Sequence, residues 1–466
     1  MHPLRFLPAL AMILGPAARA QGPVPPSDAE IRRILQQRIE TEQRGVGLVV
    51  GLISPEGRRI VAYGRRNQGD PRPLDGDTEF EIGSVTKVFT SLVLMEMAQK
   101  GEVSLDDPVV KYLPSGVRMP ERDGRDITLR QLSNQTSGLP RMPGNFHPRN
   151  PANPYADYSA ERMYAFLSGY ALPRDPGMTF EYSNLGVGLL GEALSHRAGL
   201  DYGALVAERV LRPLGLKDTG VSLAAAQQAR LAAGHDARLR PTANWDLSVL
   251  AGAGALRSTA NDLLTFLGDY LGLQKSPLAS AMAEQLTRRL PIGSNREIAY
   301  GWFITRRPGR EIIWHNGKTG GYRSFLGFDP AARLGVVVLS NAAIEDTDDL
   351  GNHLLDPSIP LSPPPRQHQA IALAPAALER FAGVYEMNPA FQITFWAEGG
   401  RLYSRGSGQS SFEVFPEGPA DFFAKVADIS IHFETDGGGA VTAMVLLQNG
   451  RTTRCRRIPA EAGPKP

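Results

Sequence analysis

The sequence predicts an α+β body whose antiparallel sheet is assembled from both chain ends around a helical insertion, followed by a small all-β C-terminal domain. Three observations carry that expectation. Two apolar runs near the start, residues 46–53 and 59–63, flank Pro55-Glu56-Gly57 and read as a hairpin closed by a Pro/Gly turn. Four further runs of strand character, residues 300–305, 311–315, 325–328 and 335–340, return only after the helical patterns of residues 105–290. Residues 356–365 then hold five prolines, a composition that favours an extended spacer, before short alternating runs resume at 391–396, 412–415, 429–433 and 443–447.

Taken in order, residues 1–20 read as an export signal. Arg5 supplies the positive start, residues 6–14 the apolar segment and Ala18-Arg19-Ala20 the small-x-small cleavage site, so the mature chain is expected near Gln21, exported and periplasmic. The apolar run is shorter than the roughly 20 residues that span a bilayer, and no stable membrane anchor is expected. Residues 84–100 form a buried helix, with Val88, Leu92 and Met95 at helical spacing and Gly101 where a C-terminal cap belongs. Helical patterns follow at 129–132, 160–168, 185–197, 203–211 and 260–271, and Thr259 with Asp262 resembles a capping box. The expected division is a signal at 1–20, a main domain at 27–355, a Pro-rich linker at 356–375 and a β domain at 376–459.

Composition narrows the function classes. Hydrophobic content of 42% and charged content of 21% suit a globular protein, and 466 residues suit two folded units. A net charge of +2 on dispersed basic residues gives no nucleic-acid surface. The single cysteine, Cys455, forms no internal disulfide. The eight histidines are scattered without His-x-His or His-Glu-x-x-His, so neither a metal nor a cofactor is expected. No serine sits in Gly-x-Ser-x-Gly, which argues against an α/β-hydrolase. Oligomeric state is not legible.

Three segments carry chemistry. Ser84-Val85-Thr86-Lys87 opens the first long helix, and a spacing of three puts hydroxyl and amine on one helical face, close enough to exchange a proton. At a helix start the amide of Ser84 points outward, where an oxyanion can be held. Tyr182-Ser183-Asn184 offers a phenol that a nearby Lys87 cation makes a better proton acceptor, or holds as phenolate, with Asn184 free to bond Lys87 or a substrate amide. Trp314-His315-Asn316-Gly317-Lys318-Thr319-Gly320-Gly321 lies at the end of one strand and before another; its glycines admit a substrate backbone, His315 or Lys318 adds positive or hydrogen-bonding character, and the Lys318 amide completes the oxyanion hole.

With Phe80-Glu81-Ile82-Gly83 before Ser84, Thr136-Ser137-Gly138-Leu139-Pro140, and Pro213-Leu214-Gly215-Leu216, these motifs resemble those of the class C β-lactamase and penicillin-binding-protein family, over roughly residues 30–345. The resemblance implies a β-lactamase/transpeptidase-like fold and an acyl-enzyme cycle without a cofactor. In that cycle Ser84 attacks a β-lactam, D-alanyl amide or ester of a small or peptidoglycan-derived substrate, while Lys87 and Tyr182 move protons. Asn184, His315, Gly317 and Lys318 are the expected substrate-binding residues. Thr86 and His315 depart from the β-lactamase signature, and histidine at the third motif is similar to peptidase and esterase branches. A carboxylesterase and a penicillin- or peptidoglycan-binding module without turnover are the alternatives. The final domain, opening at Phe381-Ala382-Gly383-Val384-Tyr385, resembles the lipocalin-like domains appended to some such hydrolases.

Overall fold

The computed structural model describes residues 24–459 apart from 345–346, 364–367, 389–390, 408, 410, 426–428 and 449–450, so the signal read at residues 1–20 lies outside the described residues. The chain divides between Leu361 and Ser362 into two compact units.

In the first unit, β1 (Gly47–Ser54) and β2 (Gly57–Gly64) form the expected hairpin, paired from Gly47↔Gly64 to Ser54↔Gly57. Gly57 has φ +124°, a conformation that favours glycine, and this lets the chain reverse over Pro55 and Glu56. Two short strands, β3 (Phe80–Glu81) and β4 (Arg257–Ser258), pair with each other as a separate ribbon. The later strands are β5 (Leu290–Pro291), β6 (Arg296–Ile298), β7 (Phe303–Arg307), β8 (Arg310–Lys318), β9 (Arg323–Asp329) and β10 (Leu334–Ser340). Their antiparallel order, β2-β1-β10-β9-β8-β7-β6-β5, closes β1 directly onto β10, with Leu48↔Ser340 and Ile53↔Gly335. The strand expected from residue 300 begins only at Phe303, because Gly301 turns the chain with φ +78° and presses on the backbone of residues 87–88.

Both faces of this sheet are covered, which explains why β1 and β10 are continuously apolar instead of alternating. Val49, Ile53, Val337 and Leu339 face a core shared with the helices. Their neighbours Leu48, Val50, Val336 and Val338 face a second core with α1 (Asp28–Gln36) and the helix Thr347–Leu355. Helix α1 is not among the elements expected from the sequence. Ser27 caps it, and Glu30 reaches back to the Ser27 amide at 2.8 Å, a reciprocal box readable as Ser-x-x-Glu.

The helical insertion contains α2 (Thr86–Gln99), α3 (Leu129–Ser133), α4 (Ala160–Gly169) and α5 (Asn184–Ala198). Gly101 follows α2 with φ +71°, the left-handed residue expected beyond a C-cap. The box expected at Thr259 is half present. Its hydroxyl accepts the Asp262 amide at 3.2 Å, but the Asp262 carboxylate accepts instead from the Asp218 amide and the Thr219 hydroxyl, both at 2.8 Å.

The second unit is a closed antiparallel barrel: β11 (Gly383–Asn388), β12 (Phe391–Glu398), β13 (Arg401–Gly406), β14 (Phe412–Pro416), β15 (Asp421–Ala424), β16 (Ile429–Thr435), β17 (Val441–Gln448) and β18 (Arg451–Ile458). Each strand pairs with its successor and β18 pairs with β11, so closure removes the open edges of the sheet. Its interior is filled by rings: Phe433 meets Phe381, Phe395 and Phe422 at 4.6–5.5 Å, and the Tyr385 hydroxyl donates to the Phe381 carbonyl at 2.9 Å. Phe433→Ala should cost about 3–5 kcal/mol. Cys455, the only cysteine and fully buried in the barrel, reports on that loss: its labelling by a thiol reagent should accelerate about a hundredfold or more, and an unchanged rate would show that the ring cluster does not hold the barrel.

Candidate active site

The segment that presents Ser84 is clamped from two sides. β3 is held by β4, and the chain then enters a 3-10 turn, Gly83–Val85, that runs into α2. Gly83 takes φ +50°, and a Cβ there would lie 2.8 Å from the Lys318 amide nitrogen. A Cβ on Gly317 would lie 1.9 Å from the Ile82 carbonyl oxygen, which also accepts from the Ser324 hydroxyl at 2.8 Å. The two glycines therefore let the end of β8 abut the Ser84 turn and bring the Lys318 backbone beside it. Gly317 faces that turn, and its missing side chain serves close packing of protein on protein.

Lys87, in the first turn of α2, is 1% exposed. Its Nζ lies 2.9 Å from Ser84 Oγ and donates to Asn184 Oδ1 at 2.9 Å and to the Ala253 carbonyl at 2.6 Å. Burial drives its pKa well below the usual lysine value, and the Arg141 cation pushes the same way. Thr86 acts elsewhere. Its hydroxyl accepts the Leu256 amide at 3.1 Å, tying the start of α2 to the segment that supplies Ala253.

Tyr182 and Asn184 flank Ser183, the N-cap of α5, whose hydroxyl accepts the Gly186 amide at 2.8 Å. Gln135 holds this entry, accepting the Ser183 amide on its side chain at 2.7 Å and the Glu181 amide on its main chain at 2.8 Å. It does so from a left-handed backbone, φ +64°, a strained conformation for a non-glycine residue. Lys87 Nζ and the Arg141 guanidinium each lie 5.0 Å from the Tyr182 ring centroid. Burial raises the Tyr182 phenol to about 12, the neighbouring Ser84 hydroxyl and Arg141 pulling the other way. The phenolate entertained from sequence is thus disfavoured, because desolvation of the anion outweighs the cations beside it.

His315 sits on β8, 1% exposed, with Nδ1 2.6 Å from the Asn316 carbonyl and its ring 5.2 Å from Phe303 and 6.3 Å from Tyr182. Burial, then the Lys87 charge, lower it to about 3, so it is neutral at physiological pH. It backs Tyr182 and presents no positive charge. Lys318 is exposed at the lip, where surrounding protein and the Arg323 and Arg141 cations lower its ammonium to about 8. The cleft over Ser84 is walled by Tyr155 and Trp245, ring centroids 5.0 Å apart, with Asn184, Leu247, Lys318 and Thr319.

Ser84, Lys87, Tyr182, Asn184 and the Lys318 backbone therefore converge, although they come from three distant segments. Arg141, Gln135, Ala253, Tyr155 and Trp245 were missed. Arg141 directly follows the Ser137-Gly138-Leu139-Pro140 signature, but nothing local marks its charge as facing the site. Among the described residues no group of three His, Cys, Asp or Glu side chains is arranged to hold a metal ion, and no helix is long and apolar enough to cross a membrane.

The family profile for Beta-lactamase matches residues 31–357. The chain belongs to the β-lactamase family. Residues 367–455 match a second profile, described as a domain of unknown function, DUF3471. The D-alanyl-D-alanine-carboxypeptidase/endopeptidase AmpH of Escherichia coli (strain K12) is 30% identical over 307 residues, 63% of this chain and 78% of that protein. Penicillin-binding protein 4* of Bacillus subtilis (strain 168) is 26% identical over 432 residues, 86% of this chain and 92% of that protein. A class C β-lactamase structure from Rhodobacter sphaeroides, 24% identical, superposes with a TM-score of 0.62 over 72% of this chain and 99% of its own. A Pyrococcus abyssi structure, described as an octameric penicillin-binding protein homologue, has the same TM-score at 21% identity and covers 92% of this chain and 99% of its own. These two structures bear on the family fold.

The buried amine makes a stability prediction with a definite sign. Below its unfolded pKa of about 10.5 Lys87 binds a proton more readily in the unfolded chain than in the folded one, so its charge opposes folding at low pH and the penalty fades as pH rises. The unfolding free energy of Lys87→Met minus that of the parent should therefore fall as pH rises toward the ordinary lysine value of about 10.5. A difference that stays flat across denaturation curves in this range would mean that the amine is not electrostatically strained.

Proposed function

We propose that this protein is an exported serine hydrolase that acylates Ser84 and cleaves a D-alanyl peptide or β-lactam amide bond. The observation that carries the reading is the environment of Lys87. Two carbonyl oxygens, Asn184 Oδ1 and Ala253 O, take two N–H bonds, and the third direction of the amine meets Ser84 Oγ. A neutral amine so bonded turns its lone pair to the hydroxyl, and burial favours the neutral form.

The proposed cycle follows from that. The Ser84 proton passes to Lys87 as Oγ bonds to the substrate carbonyl carbon, and the amides of Ser84 and Lys318 receive the oxyanion. Tyr182, a neutral phenol, hands its proton to the departing nitrogen or oxygen as the bond to carbon breaks, and recovers one from Lys87. Water then attacks the acyl-enzyme along the same path in reverse, releasing the acid and restoring the Ser84 hydroxyl.

Residues 1–20 are proposed to direct export to the periplasm, residues 27–355 to form the hydrolase domain, 356–375 the linker and 376–459 the accessory β domain. The related carboxypeptidase/endopeptidase and penicillin-binding protein support a peptidoglycan-derived or β-lactam substrate for this chain. A second reading, ester hydrolysis by the same residues, is favoured by His315, which is buried and uncharged and departs from the β-lactamase signature.

Steady-state kinetics on a cephalosporin, a D-Ala-D-Ala peptide and a short acyl ester test both readings. Ser84→Ala should lower kcat/KM on every accepted substrate by at least about a thousandfold, and Tyr182→Phe by about 10²–10⁴-fold. The parent kcat/KM should rise with pH on an acid limb well below the ordinary lysine value, because Lys87 must be neutral to accept the proton. Full activity in Ser84→Ala would remove the proposed nucleophile.

A further inference from the structure

A substrate that carries a carboxylate needs a cation at the mouth of the site, and His315 of the third motif supplies none. His315 is 1% exposed, its Nδ1 is engaged by the Asn316 carbonyl at 2.6 Å, and Phe303 lies against its ring at 5.2 Å. The exposed cations near Ser84 are Lys318 and Arg141. Lys318 lines the cleft over Ser84 and Arg141 stands beside Tyr182; Arg141 is the one fixed by the helix start. Its main-chain carbonyl accepts the Asn184 amide at 3.0 Å and the Leu185 amide at 3.3 Å, so the helix start that presents Asn184 also fixes the loop bearing the guanidinium. Its guanidinium lies 5.0 Å from the Tyr182 ring centroid. Its field reaches Lys87, Tyr182, Tyr155 and Lys318, which surround the cleft.

The guanidinium is also available. Among the described residues Arg141 pairs with no carboxylate, whereas Arg130, Arg209, Arg230, Arg257 and Arg310 of the same unit all do. Arginine stays charged at any working pH and offers a planar fork of donors matched to a carboxylate. Lys318 offers a compact point charge without that planar fork.

We propose that Arg141 is the specificity-determining residue of the site, selecting substrates with a carboxylate that its guanidinium binds across the Tyr182 face, in place of the third-motif residue. This rests on the reading of Ser84 as nucleophile and names the substrate class for it. Arg141 takes no part in bond making: it holds one end of the substrate while the reacting carbonyl lies over Ser84.

Boronic acids separate recognition from turnover. The boron accepts Ser84 Oγ to give a tetrahedral anion as the hydroxyl proton moves to Lys87, and the adduct is reversible. Calorimetric titration with phenylboronic acid and with its 3- and 4-carboxy derivatives gives an affinity ratio in which any change in Lys87 protonation cancels. The parent protein should bind the better carboxylated compound about tenfold or more tightly than the neutral one, as expected for a charge-assisted bidentate contact. Arg141→Gln should bring the ratio to about one, Arg141→Lys should restore part of it, and Lys318→Gln should keep most of it. A parent without preference, a ratio unchanged in Arg141→Gln, or a ratio lost only in Lys318→Gln overturns the proposal. Ser84→Ala, titrated in parallel, should lose affinity for all three compounds; retained affinity there would overturn the nucleophile, while the ratio across the Arg141 variants would still decide the carboxylate contact.

Discussion

An amine with almost no access to water is the constraint around which the first unit is arranged. Lys87 Nζ is bonded at once to the hydroxyl three residues earlier, to a side chain at the start of α5 and to the main chain at Ala253. A buried lysine is costly unless its hydrogen bonds are met or its charge is given up, and both conditions draw distant segments to one point. Thr86 reinforces the arrangement by binding the amide of Leu256, so the same helix turn is joined twice to residues 253–256. Gln135 does the equivalent for Tyr182, through a backbone conformation that only the surrounding bonds sustain.

The sheet supplies the opposite wall by missing atoms as much as by present ones. At Gly83 and Gly317 the nearest foreign atoms belong to backbone and cannot move aside, so the strand end and the Ser84 turn meet at a distance that side chains would forbid. The expectation that the third-segment glycines admit substrate has a different physical content at Gly317 in the folded protein: it admits another part of the chain, and the Lys318 amide arrives beside Ser84 as a result. The barrel in the second unit shows the same economy of space. Its eight strands close in sequential order, and its centre is occupied by Phe381, Tyr385, Phe395, Phe422 and Phe433.

Charge is where sequence and folded protein diverge most. His315 and Tyr182 are both titratable residues in motifs, and composition alone leaves their ionisation open. In the folded chain both are neutral, histidine because burial and Lys87 oppose its cation, tyrosine because burial opposes its anion. The net positive character of the mouth passes to Lys318, which the third motif marks, and to Arg141, which no local pattern distinguishes from an ordinary surface residue.

What the sequence by itself determined were the features written in local spacing. Ser84 and Lys87 share a helical face because three residues make nearly one turn, and the hairpin at Pro55-Glu56-Gly57 follows from a turn composition between two apolar runs. The fold class followed from the order of strand-like and helical runs, with α1 overlooked because its capping signal is short and its helix mostly exposed. Tertiary structure alone decided which carbonyls meet Lys87, that Gln135 steers Tyr182, that the Arg141 guanidinium lies over the Tyr182 ring, and that His315 is withdrawn from the cleft. Those outcomes depend on contacts across separations such as the 166 residues between Lys87 and Ala253, where burial and approach distance are properties of the packed chain and no spacing rule reaches.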